Sequence, residues 1–204
     1  MRIINDIHGE WEHYKSLIKG VDHSIQVGDF GVGFVEFPAF PQSFFYDCKG
    51  EHRFIRGNHD NPAVARKHKW YLGDYGYLPT FGGVESIFFL GGAYTPNFYP
   101  KRPEINWWYD EELNYQEFQK AIDLYVEKKP SIVLTHECPT IAKDDILGYD
   151  PDYMTRSATE NALQIMFDLW QPELWVFGHY HQDWENRYQG CRFVCREPYG
   201  VLDI

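Results

Sequence analysis

Five apolar runs in this chain stop abruptly on glycine, aspartate, asparagine or histidine. The run at 2–4 gives way to Asp6-Ile7-His8-Gly9, and the run ending at 27 to Gly28-Asp29. Phe54 and Ile55 lead into Arg56-Gly57-Asn58-His59-Asp60. Residues 131–134 lead into Thr135-His136-Glu137, and residues 174–177 into Gly178-His179-Tyr180-His181. Short apolar runs bounded by such punctuation read as buried strands. In parallel α/β sheets the strand carboxyl ends gather along one edge, where ligands bind. Polar clusters from residue 6 to residue 181 can therefore meet in one place.

Helical patterns alternate with these strands. Trp11, Tyr14, Leu17 and Ile18 recur at helical spacing, closed by Gly20. Residues 30–43 read as a loop rich in Gly, Phe and Pro. Pro62 suits the first turn of a helix. Two strands are expected around Gly82-Gly83, within residues 77–90. A long loop follows over 92–109. The spacing predicts a helix over 110–129, with Leu113, Phe118, Ile122 and Tyr125 on one side and Pro130 as its stop. Ser157 and Glu160 have the spacing of a capping box, which marks another helix start. The last twenty residues read as short antiparallel strands. The pattern is that of one α/β domain over 1–204, with mixed rather than purely parallel sheets.

Composition narrows the partners. The 204 residues are 44% hydrophobic, enough for a substantial core, and carry a formal charge of −11. Such a surface repels nucleic acid and anionic membranes unless a local site reverses the field. No run of about 18 apolar residues exists to span a bilayer. Asp6 arrives after only five residues, so no leader peptide is expected. Cys48, Cys138, Cys191 and Cys195 show no Cys-x-x-Cys spacing and read as reduced thiols, so a cytoplasmic protein is expected.

The donor types indicate the chemistry. Asp6, His8, Asp29, Asn58, His136, His179 and His181 offer oxygen and imidazole ligands, a mix suited to divalent metals of intermediate hardness. One ion takes about three to five protein ligands. Seven are too many for one ion and suit two that share a carboxylate.

The series Asp6-Ile7-His8-Gly9, Gly28-Asp29, Gly57-Asn58-His59-Asp60, Thr135-His136 and Gly178-His179-Tyr180-His181, in that order, resembles the calcineurin-like metallophosphoesterases. The resemblance implies a sandwich of two mixed β-sheets flanked by helices, with a dinuclear metal site at the strand carboxyl ends. It implies that Asp6, His8, Asp29 and His181 hold one ion, and that Asp29, Asn58, His136 and His179 hold the other. Manganese ranks first, with iron, zinc, nickel or cobalt as alternatives. It further implies that His59 faces the substrate and that Asp60 orients His59 by accepting a hydrogen bond from its ring. Two divalent ions about 3.5–4 Å apart lower the pKa of a shared water, whose hydroxide attacks phosphorus. Protonated His59 would donate to the departing oxygen. The two ions leave the centre locally positive, so an acidic protein can still bind phosphate.

Further substrate-binding candidates are Arg56, beside Gly57, and Lys101, Arg102, Trp107 and Trp108, in the aromatic loop. Basic groups there could clamp a phosphate while an aromatic ring stacks on a base. The alternatives are an ion pair for Arg56 and self-burial of the Trp pair. Cys138, His13, His23, His52 and His68 read as structural. The expected activity is hydrolysis of a small phosphodiester or phosphomonoester, nucleotides among the candidates. The second motif lacks the Asp-Arg pair of the protein Ser/Thr phosphatase branch, and Asp60 stands where that branch has Glu. A non-catalytic protein-binding scaffold and a single-strand nuclease stay open as alternatives. The full ligand set weighs against the first and the negative charge against the second.

Overall fold

Ile3 and Ile4 are adjacent and fully buried, yet they pack into different clusters. Successive strand side chains point to opposite faces, so β1 (Arg2–Ile4) has protein on both sides. The same division separates Phe54 from Ile55, Phe88 from Phe89, Val133 from Leu134 and Trp175 from Val176. Burial on both faces is why these strands carry consecutive apolar residues and do not alternate.

The computed structural model describes residues 1–97, 99–148 and 157–204. Two sheets result. The first has the order β10 (Val201–Asp203), β1, β2 (His23–Val27), β3 (Glu51–Ile55), with β1 to β3 parallel and β10 antiparallel. The second has the order β4 (Tyr75–Phe81), β5 (Val84–Leu90), β6 (Ile132–Thr135), β7 (Leu174–Phe177), β9 (Cys191–Cys195), β8 (Trp184–Tyr188). Its inner strands are parallel and its two edges antiparallel. Ile3, Ile25, Val27 and Ile55 of the first sheet face Ile87, Phe89, Leu134, Val176 and Val194 of the second. This is the sandwich of two mixed sheets that the sequence resemblance implied.

Helices cover the outer faces. α1 (Trp11–Leu17) lays Trp11 and Tyr14 over Phe30 and Phe54. α4 (Tyr115–Lys128) and α6 (Ala158–Leu169) bring Phe118, Tyr125, Met166 and Phe167 onto Trp175 and Phe193. Three short helices, α2 (Phe44–Asp47), α3 (Pro62–Ala65) and α5 (Thr140–Leu147), lie in the connections. Gly82-Gly83 forms the two-residue turn between β4 and β5, both at positive φ, as such turns require.

Three expectations need correction. α4 begins at Tyr115 and not at 110, because Asn114 and Glu117 form a reciprocal capping box there. Leu113 is buried ahead of the helix. At α6, Ser157 accepts the Glu160 N–H as expected, but the Glu160 carboxylate is turned toward Lys143 Nζ at 2.7 Å and Thr140 Oγ1 at 2.9 Å. A buried ammonium attracts it more strongly than a backbone amide. The closing strands are antiparallel only in part, since β9 runs parallel to β7. Among the described residues no helix is long and apolar enough to cross a membrane.

Leu134 lies at the centre of the inter-sheet layer, one residue before the end of β6. Leu134→Ala is expected to lower the unfolding free energy by about 2–5 kcal/mol, the usual cost of a core cavity. Chemical denaturation of the metal-free protein measures it, and a loss below about 1 kcal/mol would contradict this packing.

Candidate metal centre

The five polar exits converge, but from two sheets. Asp6, His8, Asp29 and Asn58 follow strands of the first sheet; His136, His179 and His181 follow β6 and β7 of the second. The backbone is strained where they meet. Of nine non-glycine residues at positive φ among those described, four are His8, Asp29, His179 and His181. Each such residue costs of the order of 1–3 kcal/mol, and such strain concentrates at functional sites. The glycines make room. A Cβ on Gly57 would run into the Asp29 carboxylate and His136 Nε2, and one on Gly178 into Asp6 Oδ1. Gly57 is not at positive φ, so at this position space, more than a turn, excludes a side chain.

Two groups of donors form. One ligand atom each from Asp6, His8, Asp29 and His181 lie within 4.8 Å of one another, and so do atoms from Asp29, His136 and His179. Asp29 belongs to both groups. In the first, His8 Nε2 lies 3.0 Å from His181 Nε2, which lies 3.0 Å from Asp6 Oδ2. In the second, His136 Nε2 lies 3.2 Å from both Asp29 Oδ1 and Asn58 Oδ1. His136 Nδ1 is 2.9 Å from the Val27 carbonyl oxygen and must be the donor there. In a neutral ring Nε2 therefore presents a lone pair to two acceptor oxygens. That repulsion is relieved by a proton on Nε2 or by a cation placed between Nε2 and the two oxygens. The residues present thus fit a pair of divalent ions.

Electrostatics agrees. Burial opposes charge on His136, yet Asp29 and Asp6 outweigh it and push its pKa up to about 10. Burial likewise opposes charge on Asp29, but His136, His59 and His8 hold it well below the usual carboxylate range. Asp6 also raises His181, chiefly through their hydrogen bond. The centre draws positive charge. His179, by contrast, is pushed well down by burial and by the positive charge of His136, which favours the neutral ring with one nitrogen lone pair to offer. Behind it stands Glu137, whose Oε2 is 3.8 Å from His179 Nε2 and which accepts the Tyr180 hydroxyl proton.

A cavity of about 350 Å³ opens over the centre. Asp29, Asn58, His59, His179 and His181 line it, with Tyr99 and Tyr180. His59 stacks on Phe34 at 4.9 Å and meets the edge of Tyr99 at 5.5 Å. Burial pushes its pKa down. A larger cavity of about 590 Å³ lies at the opposite strand ends, beside Lys19 and Lys49, and contains none of the candidate ligands.

Asp60 is placed differently from expectation. Its carboxylate accepts from the backbone N–H groups of Phe30, Gly31, Val32 and Gly57 at 2.6–3.1 Å. The His59 Nδ1 atom is buried without a partner. Four converging amides outcompete one imidazole, so Asp60 organises the loops and does not orient His59. None of the five further substrate candidates lines the cavity. Arg56 is fully buried and paired with Asp74 at 2.6 Å, its guanidinium drawn away from the site. Lys101 sits over the Tyr94 ring at 3.9 Å, and Arg102 pairs with Glu36. Trp108 is buried against Phe34, and Trp107 packs on Tyr109. Apolar burial and nearby acids claim these side chains. Tyr99 and Tyr180 line the cavity instead; Tyr180 was visible only as the aromatic residue inside the last polar exit, and Tyr99 only as one aromatic residue of the 92–109 loop. Cys138 is buried in the core, and all four cysteines are unpaired.

The profile of the calcineurin-like phosphoesterases matches residues 2–183. No curated protein matches the sequence. Among solved structures, a candidate 5′-nucleotidase from Staphylococcus aureus superposes with a TM-score of 0.59 at 14% identity, over 98% of this chain and 49% of that one. This chain thus spans about half the length of the staphylococcal protein. The phosphopantetheinyl hydrolase of Mycobacterium tuberculosis gives 0.52 at 12% identity, over 97% and 89%. GAP50, the anchor in the inner membrane complex of Plasmodium, gives 0.52 at 11% identity, over 97% and 71%. At identities this low the superpositions establish a shared fold and nothing further.

Two variants probe the centre. Gly57→Ala forces a methyl group against Asp29 and His136, and is expected to weaken Mn²⁺ binding at least about 10-fold in calorimetry, in the range of a misplaced ligand. Unchanged affinity would contradict the close approach. Asp60→Asn leaves fewer acceptor sites for four buried amides, and is expected to cost about 1–3 kcal/mol in urea denaturation. A neutral effect would show that the loops do not depend on this carboxylate.

Proposed function

The chain belongs to the calcineurin-like phosphoesterases, and on that footing we propose that residues 1–204 form a single catalytic domain that hydrolyses small phosphoesters, nucleotides among them, with two divalent ions. The observation that supports this most is the sharing of Asp29 between two groups of donors at the base of a cavity. In this reading Asp6, His8, Asp29 and His181 would hold one ion, and Asp29, Asn58, His136 and His179 the other. Manganese ranks first, with iron, zinc, nickel or cobalt as alternatives for the same ligands. When bound, the pair would supply Lewis-acid chemistry, polarising the phosphoryl group and lowering the pKa of water toward neutrality.

The chain's own residues do the rest. The Nδ1 bond to Val27 holds the His136 ring so that Nε2 faces the centre. The His59 backbone N–H donates to Asp29 Oδ1 at 2.7 Å, which ties the loop carrying His59 to the carboxylate between the two groups. Phe34 and Tyr99 confine the His59 ring at the cavity wall. Burial favours its neutral form, and the negative charge of an arriving phosphate favours the protonated one. A protonated His59 then donates to the leaving oxygen, worth about 10²–10⁴-fold. The cavity volume suits a small molecule, and Tyr99 offers an aromatic surface to a base or ring. A formal charge of −11 disfavours long nucleic acids. Four unpaired cysteines suit a reducing compartment such as the cytoplasm.

The test uses Mn²⁺-loaded protein with bis-p-nitrophenyl phosphate and p-nitrophenyl phosphate, whose relative rates separate diesterase from monoesterase preference. Turnover is expected on at least one, abolished by chelation and lowered about 10²–10⁴-fold by His59→Ala. Loaded protein inert on both substrates would overturn the assignment, and a His59→Ala variant at wild-type rate would remove His59 from the chemistry.

A further inference from the structure

We propose that Thr95 and Glu111 are positioning residues that dictate which end of the Asn58 amide faces the centre, and so complete one of the two ion sites. The inference rests on Asn58 being a ligand. An asparagine amide has two ends of similar shape, and only the oxygen can bind a cation. Oδ1 lies 3.2 Å from His136 Nε2, at the second group of donors, while Nδ2 donates to Thr95 Oγ1 at 3.3 Å.

The reason lies one residue further out. A threonine hydroxyl has a single proton, and that of Thr95 is donated to Glu111 Oε2. The other carboxylate oxygen accepts the Thr95 backbone N–H at 3.1 Å. Glu111 thus grips Thr95 at two points, and both residues are buried. With its proton committed, Oγ1 can only accept, and the NH₂ end of Asn58 is what satisfies it. A flipped amide would set oxygen against oxygen at Thr95 and point N–H groups at the ion. Hydrogen-bond polarity therefore passes from Glu111 through Thr95 to Asn58 and ends at the metal.

The relay is itself anchored. Arg56 Nη1 donates to the Glu111 carbonyl oxygen, and Arg56 Nε to Asp74 at 2.6 Å. The Arg56 carbonyl accepts the Gly92 N–H at 2.7 Å. Arg56, which does not reach the cavity, thereby fastens Gly92 and Glu111 to the exit of β3. The group formed by Asp6, His8, Asp29 and His181 makes none of these contacts, so the effect is confined to one ion.

Calorimetric titration of metal-free protein with Mn²⁺ tests this, with unfolding of the metal-free form as the control for folding. Thr95→Val is expected to bind one ion as the wild type does and the other about 10–100-fold more weakly, the usual loss when a group supporting a ligand is removed. Thr95→Ser keeps the hydroxyl and should stay within about 3-fold of wild type on the same scale. Glu111→Gln can donate to Thr95 and release the hydroxyl proton toward Asn58, so it should resemble Thr95→Val. Asn58→Ala should weaken the same ion. If Thr95→Val and Glu111→Gln bind both ions normally while Asn58→Ala does not, the relay is wrong. If Asn58→Ala also binds both normally, Asn58 is no ligand and the proposal falls with that reading. A Thr95→Ser variant as weak as Thr95→Val would assign the loss to packing and overturn the proposal. Should Thr95→Val fail to fold, Glu111→Gln decides alone.

Discussion

Everything at the centre depends on one buried carboxylate that two sheets share. Asp29 is almost wholly buried and sits at φ 53°. Its backbone carbonyl accepts the N–H groups of Ile7 and His8, and its side chain accepts that of His59. His136, from the other sheet, meets the same carboxylate. Three loops of one sheet and one of the other are thereby tied to a single residue, two of them through its carboxylate. A charge so placed is costly unless matched. The surrounding imidazoles supply the match in part, and a pair of cations would complete it.

Close convergence brings strain, and the surrounding packing offsets it. The sandwich fills both faces of the central strands with branched and aromatic side chains. That rigid base holds four candidate ligands in the left-handed region, where an ordinary loop would relax. The gathered N–H groups on Asp60 do the same for the loops after β2 and β3. Asp60 lies beside the chemistry in sequence and serves the architecture in space.

The structural relatives show why site and fold carry separate arguments. The same fold appears in a candidate nucleotidase, a phosphopantetheinyl hydrolase and an anchor of a membrane complex. What points to chemistry in this chain is two groups of donors, each within 4.8 Å and sharing Asp29, beneath a cavity of about 350 Å³.

Much of this was legible in the sequence, for a local reason. A strand buried on both faces is largely apolar, and a ligand for a cation must bring an oxygen, nitrogen or sulfur donor whatever surrounds it. Both requirements fall on single positions, so runs, exits and candidate ligands could be read in order. Tertiary structure alone decided how the exits divide between two sheets and which partner each long side chain meets. Arg56 could have faced a phosphate; a buried ion pair with Asp74 holds it elsewhere. Thr95 and Glu111 carry no motif, and their relation to Asn58 exists only once residues 16 to 53 positions apart are packed together. Side-chain chemistry is written at each position, whereas hydrogen-bond partners and distances are properties of pairs that only the folded chain creates.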